Sequence, residues 1–264
     1  MSLARAALRI ATLEALRPTA AIVSDTHPAG GPWPTLAGAR VYDSRIDPVD
    51  DLAASERRPV IVIYTDEDNS DPAQKAGGPP YKRIVDLVVE LSVIALGLVG
   101  EGEEEAYVVG TAYTDAELEI ELDLLEAQAR FALHYGPTGA IWRKLTGRKV
   151  IDIHSLPHRT SEEGDRLALR TVRIKLVIPD DCYDPAPSGS EAGNDRLPEP
   201  LRGVIIALAA TSYGAKLAQG IAPAVPAMPA AVSLDAVALR LDVADPQGQP
   251  GGAVEAVADN LQGD

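Results

Sequence analysis

RIVDLVVELSVIAL (Arg83–Leu96) puts Val85, Leu87, Val89, Leu91 and Val93 at every second position and sets Asp86, Glu90 and Ser92 between them. Side chains that alternate with period two belong to a strand, so one face of this segment is apolar and the other polar. It is predicted to be the longest strand of a sheet buried on one side only, the pattern of antiparallel sheets.

Its neighbours can be read from the same rule. RLALRTVRIKLVIP (Arg166–Pro179) alternates Val172, Ile174 and Leu176 with Thr171, Arg173 and Lys175, and KVIDIHSLPHR (Lys149–Arg159) precedes it across the turn Ser161–Asp165, as in a hairpin. If 166–179 lies beside 83–96, its cations share a face with Asp86 and Glu90, a cross-strand arrangement of about 0.2–1 kcal/mol per pair. PVIVIYTDED (Pro59–Asp68) opens with a continuous β-branched run that predicts a strand buried on both faces and ends in three acids.

Helical spacing marks three segments. Leu3, Ala7, Ile10, Leu13 and Leu16 recur at three- and four-residue steps until Pro18, an amphipathic helix rather than a secretion signal. Asp115 is a good N-cap for a helix lined by Leu118, Leu122, Leu125, Ala129 and Ala132 and closed by Gly136-Pro137. A shorter helix is expected over Thr138–Leu145. The order of helices and strands predicts an α+β fold, a mainly antiparallel sheet with helices packed on one face.

The intervening stretch Thr19–Arg58 is rich in Pro and Gly and should hold only short elements, with a strand fragment at Ala39–Tyr42. EGEEE (Glu101–Glu105) reads as a solvated loop. After Ile178 the composition turns to Pro, Gly, Ser and acid, which predicts a core over 1–183, a linker over 184–200 and a C-terminal extension over 201–264. Within the extension, Leu201–Leu217 suits an Ala-rich helix and Ala236–Val243 a short strand.

Composition removes several function classes. With Asp+Glu 39 against Lys+Arg 24, the formal charge is -15, which disfavours phosphate backbones and anionic membranes as partners. Aromatics are 4% of the chain, too few for a base-stacking platform. The longest apolar stretch is broken by Asp86 and Glu90 and falls short of the roughly 20 residues a membrane span needs. The single Cys182 cannot form an intramolecular disulfide and suits a reducing compartment.

AIVSDTHPAG (Ala21–Gly30) raises the possibility of metal chemistry, because Asp25 and His27 have the residue types that open a two-metal phosphoesterase site. Such a site needs further His, Asp and Asn ligands to hold two cations about 3.5–4 Å apart. No later Gly-Asn-His or Gly-His-x-His turn supplies them. The plainer reading makes Asp25 a turn residue before Pro28 and His27 an exposed side chain. His154 and His158 are separated by Pro157 on a strand, not paired on a helix. There is no Gly-x-Ser-x-Gly elbow, Asp181 and Asp184 disfavour a Cys182 thiolate, and GLVGEG (Gly97–Gly102) runs into glutamates instead of a phosphate-binding lysine. No catalytic residue, metal or cofactor is expected.

In order, the first helix, RVYDSRIDP (Arg40–Pro48), PVIVIYTDED (Pro59–Asp68), RIVDLVVELSVIA (Arg83–Ala95), the helix from Asp115 and the hairpin ending in RTVRIKLVIP (Arg170–Pro179) resemble the tail terminator or minor tail proteins of long-tailed bacteriophages and related gene transfer particles. The similarity covers about the first two thirds of the chain. It implies a non-enzymatic virion protein, assembled in the host cytoplasm. Such a protein forms a ring, typically a hexamer, that caps the tail tube, halts its polymerisation and joins the tail to the head connector or stopper protein. DNA would pass through the lumen without specific binding. Another connector or tube component of the same particle is the neighbouring alternative, and a phosphoesterase using Asp25 and His27 the alternative of a different class. Charged loop residues beside a rigid strand are well placed to meet partners, so Asp43, Arg45, Asp47, Asp66, Glu67 and Asp68 are the expected interface residues.

Overall fold

A computed structural model of the chain describes residues 2–23, 33–44, 59–72, 81–94, 96–99, 106–109, 115–160, 167–183, 194–225, 240–241 and 254–255. Asp25, His27, Arg45, Asp47, the EGEEE run and the core of the expected linker lie outside them.

Helix α1 (Leu3–Leu16) starts where Ser2 Oγ accepts the Ala4 amide at 3.1 Å, and it stops before Pro18. A single turn, α2 (Thr19–Val23), follows; Glu14 takes the Thr19 amide and hydroxyl at 2.9 and 2.7 Å and so ties the two helices together. The main sheet is built from β1 (Val41–Asp43), β2 (Val60–Pro72), β3 (Tyr81–Ile94), β6 (Val150–Thr160) and β7 (Leu167–Ile178) in the order β1-β2-β3-β7-β6. Between β3 and β7 in sequence come the small ribbon β4 (Leu96–Val99) with β5 (Ala106–Val109), then α3 (Asp115–His134) and α4 (Ala140–Thr146). Among the described strands only the β1–β2 pairing is parallel, so the α+β class and the mainly antiparallel sheet are as expected.

The alternation in β3 carries through. Val85, Leu87, Val89, Leu91 and Val93 join Ile61 and Ile63 of β2 and Val172, Ile174 and Leu176 of β7 in one buried apolar cluster with α1, α3 and α4. Burying side chains of this size contributes about 1.5–3 kcal/mol each. The predicted lining of α3, Leu118 to Ala132, belongs to the same cluster, and Trp142 of α4 lies wholly inside it. β2 departs from its expected two-sided burial: Ile61 and Ile63 are buried, whereas Val62 and Tyr64 on the other face are half-buried. Among the described residues helices cover one face only, so a β-branched run here reflects strand propensity rather than burial on both sides.

Residues 194–225, expected in the linker and extension, share this core. Leu197, Leu201, Val204, Ile205, Ala218 and Ala222 belong to the cluster, and Cys182 and Glu199 exchange backbone hydrogen bonds at 2.8 and 2.9 Å. The single Ala-rich helix expected over Leu201–Leu217 is two, α5 (Leu201–Ala207) and α6 (Tyr213–Ile221), the second started by Ser212 Oγ accepting the Ala215 amide. Gly214 of α6 lies so close to Ile10 of α1 that a side chain has no room there. This second layer explains why α1, read as amphipathic, is buried around most of its circumference: the sheet covers one side and α5 and α6 the other.

Two irregularities shape the sheet. Thr65 faces Leu87 and Asp68 faces Val85, so Asp66 and Glu67 together stand opposite Asp86. This is a β-bulge, which bends the strand and re-aims its side chains. A second bulge, at Ile151, lies on β6, the last strand in the sheet order.

Candidate functional site

Of the six expected interface residues, four are described, and three of those are held by partners within the chain. Asp43, at the end of β1, accepts from Arg9 Nε of α1 at 2.8 Å and from the Tyr213 hydroxyl of α6 at 3.1 Å, and its side chain is 5% exposed. It is a tie between the two helical layers and the sheet. Asp68 accepts two hydrogen bonds from Arg83 Nη1, at 2.8 and 2.7 Å, and the same guanidinium reaches Asp180. Burial alone would raise the Asp180 carboxyl, but the hydrogen bond and charge of Arg83 hold it below the ordinary carboxylate value. Asp66 pairs with Arg173 of β7 at 2.7 Å. Glu67, beside it in the bulge, is exposed to solvent.

The helix-free face of the sheet is a lattice of charge. Asp86 stands directly opposite Lys175, and Arg173 bridges Asp66 at 2.7 Å and Asp86 at 3.7 Å, as the sequence pattern implied. The Tyr64 hydroxyl donates to Glu90 at 3.3 Å; burial, then the Glu90 charge, push the phenol above its ordinary pKa. On β6 the pattern continues with Asp152 and His154, 2.8 Å apart and both largely exposed. Asp66 and Asp86 meet Arg173 and Lys175, whereas Glu90 meets the neutral Tyr64 hydroxyl, so the surface is only partly neutralised. Among the described residues there is no group of three His, Cys, Asp or Glu side chains placed to hold a metal, and Cys182 is a free, exposed thiol.

Sequence reasoning missed the cluster on the opposite face. Arg170 occupies an inward position of β7, in phase with Val172 and Ile174, and its guanidinium meets Glu119 at 2.8 Å, Asp123 at 2.5 Å and Glu126 at 3.2 Å, all from α3. Glu126 also accepts from the Ser155 hydroxyl of β6 at 2.8 Å. The signal was present: a cation at a core-phase position of a strand, and acids at 119, 123 and 126, spaced for one helix flank.

Beyond that cluster lies the least expected surface. Ile120, Leu124, Ala127 and Phe131 of α3, with Tyr135 just past its end, follow at steps of four, three, four and four residues, so they form one stripe on the side of the helix opposite Leu118, Leu122, Leu125 and Ala129. The large members are exposed by 66% at Ile120, 47% at Leu124, 60% at Phe131 and 77% at Tyr135, and the two rings lie 6.1 Å apart. A shallow groove of about 470 Å³ runs beside it, lined by Asp123, Glu126, Arg130, Phe131, Tyr135 and Arg170. Helix α3 is therefore apolar on two opposite sides, one packed on the sheet and one facing solvent.

At the C-terminal end of α3, Arg143 Nη1 donates to the carbonyls of Leu133 and Gly136 at 3.1 and 2.7 Å, which satisfies two acceptors that a helix end leaves open. His134 stacks edge-on against Trp142, ring centres 5.1 Å apart, and burial followed by the charges of Arg130 and Arg143 hold its imidazole below the ordinary 6.5. No described helix is long and apolar enough to cross a membrane. No protein-family model matches the chain, and no curated protein is significantly similar to it.

Proposed function

We propose that the chain is a structural assembly protein that acts as a ring subunit, and specifically a tail terminator: a ring, typically of six copies, that caps a phage-type tail tube, stops its growth and joins it to the head connector. The observation that carries this reading is the exposed apolar stripe of α3. Contiguous apolar surface of this kind on a soluble protein marks a contact with another macromolecule. The open face of the sheet agrees with it, because Arg173 and Lys175 are taken up by Asp66 and Asp86 and so offer no free basic patch for phosphate. An acidic chain also suits a lumen through which DNA must slide, since clustered lysines and arginines would hold phosphate. The order of elements is the order that suggested the resemblance to tail terminators.

The test is the mass of the purified full chain by light scattering, with a metal assay on the same sample and electron microscopy of the particles. Single closed rings free of stoichiometric metal are expected. Open-ended stacks would assign a tube component instead. A monomer carrying two transition-metal ions would replace the structural reading with the phosphoesterase one and its Asp25 and His27.

A further inference from the structure

The α3 stripe has acids on both its flanks. Glu117 and Glu121 border it on one side and Glu119 and Asp123 on the other, and all four lie in the N-terminal half of the helix. Glu119 and Asp123 are occupied by Arg170. Glu121 has no ion-pair partner among the described residues, and its partial burial raises its carboxyl above the ordinary value. A carboxylate that is partly dehydrated and unpaired is stabilised by a cation brought to it from outside.

The matching surface is on the same chain. Lys144, Arg148 and Lys149 cluster around the turn from α4 into β6, are all exposed, and make no ion pair among the described residues. Gly147 and Arg148 both sit in the left-handed region, at φ 54° and 59°. For arginine this costs about 1 kcal/mol, a strain maintained by the surrounding structure. Two residues beyond the cations, the bulge at Ile151 turns that side chain out to 53% exposure. The turn is thus an apolar tip among cations, and the α3 stripe is an apolar strip among acids.

The two surfaces lie at opposite ends of the sheet. The Val177 amide donates to the Lys149 carbonyl, which fixes the basic turn at the C-terminal end of β7, whereas Glu119 is fixed by Arg170 near the other end. Seven residues of strand separate these points, about 23 Å. A molecule cannot fold one onto the other, but a second copy can bring its own.

We infer that the partner covering the α3 stripe is a second copy of this chain, whose turn 144–151 docks head to tail on Ile120 and Leu124 with Lys144, Arg148 and Lys149 facing the flank of Glu117 and Glu121. A contact between two different patches can repeat around an axis and close into a ring when the rotation allows it, whereas a pairing of stripe with stripe would set acid against acid. Closure into a ring rests on the proposed function; the contact rests on the two patches.

Sedimentation velocity of the full chain over a range of concentrations tests it, with thermal melting to verify folding. Leu124→Glu, at an exposed position, should melt like the unaltered chain and weaken self-association about tenfold or more. Glu121→Lys and Lys149→Glu should each weaken it several-fold, and the double variant should regain most of the loss, as complementary charge pairs do. An oligomer indifferent to Leu124→Glu, or single charge reversals that the double variant does not rescue, would overturn this contact and leave the ring reading intact. A chain that stays monomeric at every concentration would remove both.

Discussion

Arg170 and Arg173 lie three residues apart on the same strand and end in opposite worlds. Arg170 points to the helix-covered side, 10% exposed at its side chain, with three carboxylates of α3 around it; Arg173 points to the open side, 39% exposed, with Asp66 and Asp86. One residue type with similar partners therefore serves two purposes. On the covered face the ion cluster replaces a hydrophobic contact and must be complete, since a charge left alone there is costly. On the open face water reaches Arg173, Lys175 and Asp66, although Asp86 beneath them is 4% exposed, so the lattice is screened more than the Arg170 cluster but not wholly.

The sharpest way to break the comparison is to remove covered-face material. Trp142→Ala empties the largest wholly buried side chain and should cost about 3–5 kcal/mol in chemical denaturation, enough to threaten folding. Arg170→Ala leaves the buried Glu126 with only the half-exposed Arg130, 3.3 Å away, and should cost about 2–3 kcal/mol, less than a fully broken buried pair because Arg130 remains and Asp123 lies largely in water. Arg173→Ala, the matched change on the open face, leaves the buried Asp86 with Lys175 at 4.0 Å and should cost about 1 kcal/mol, part of it lost at high salt. Equal losses for the two arginines would erase the distinction between the faces.

The smallest effect is a titration. Since the folded chain holds His134 below its ordinary 6.5, the unfolded chain takes up the proton first as the pH falls. The stability tied to neutral His134 is full above about 6.5 and is lost as the pH drops towards the folded value. Thermal midpoints between pH 7.5 and 5 should fall less steeply in His134→Phe than in the unaltered chain, whose His134 Nε2 is buried without a hydrogen-bond partner among the described residues.

The sheet was legible because its alternation is strict: odd positions of β3 and even positions of β7 predicted the covered face, and the same phase put the β7 cations on the face of Asp86, though the register that sets Asp86 opposite Lys175 came only with the structure. The limits of α1 and α3 were legible because Ser2, Pro18, Asp115 and Gly136-Pro137 punctuate them. What escaped is what depends on tertiary placement. Nothing local marks α5 and α6 as a second layer on α1; a Pro-rich stretch before them reads as a linker whether or not the chain returns to the core. Asp43 read as a free loop acid because Arg9 and Tyr213, its partners, are 34 and 170 residues away. The outer stripe of α3 was hidden for a different reason. Leu118, Leu122 and Leu125 already satisfied a helical period, so Ile120, Leu124 and Phe131 passed as ordinary surface residues.

The last strand of the sheet has a consequence for the kind of polymer this chain can build. β6 carries Pro157, which has no amide hydrogen to offer, and the bulge at Ile151 interrupts its spacing near the other end. A strand so marked resists extension by a neighbour's backbone. That edge thereby disfavours a continuous, fibre-like sheet, and any contact it makes with another chain is left to side chains.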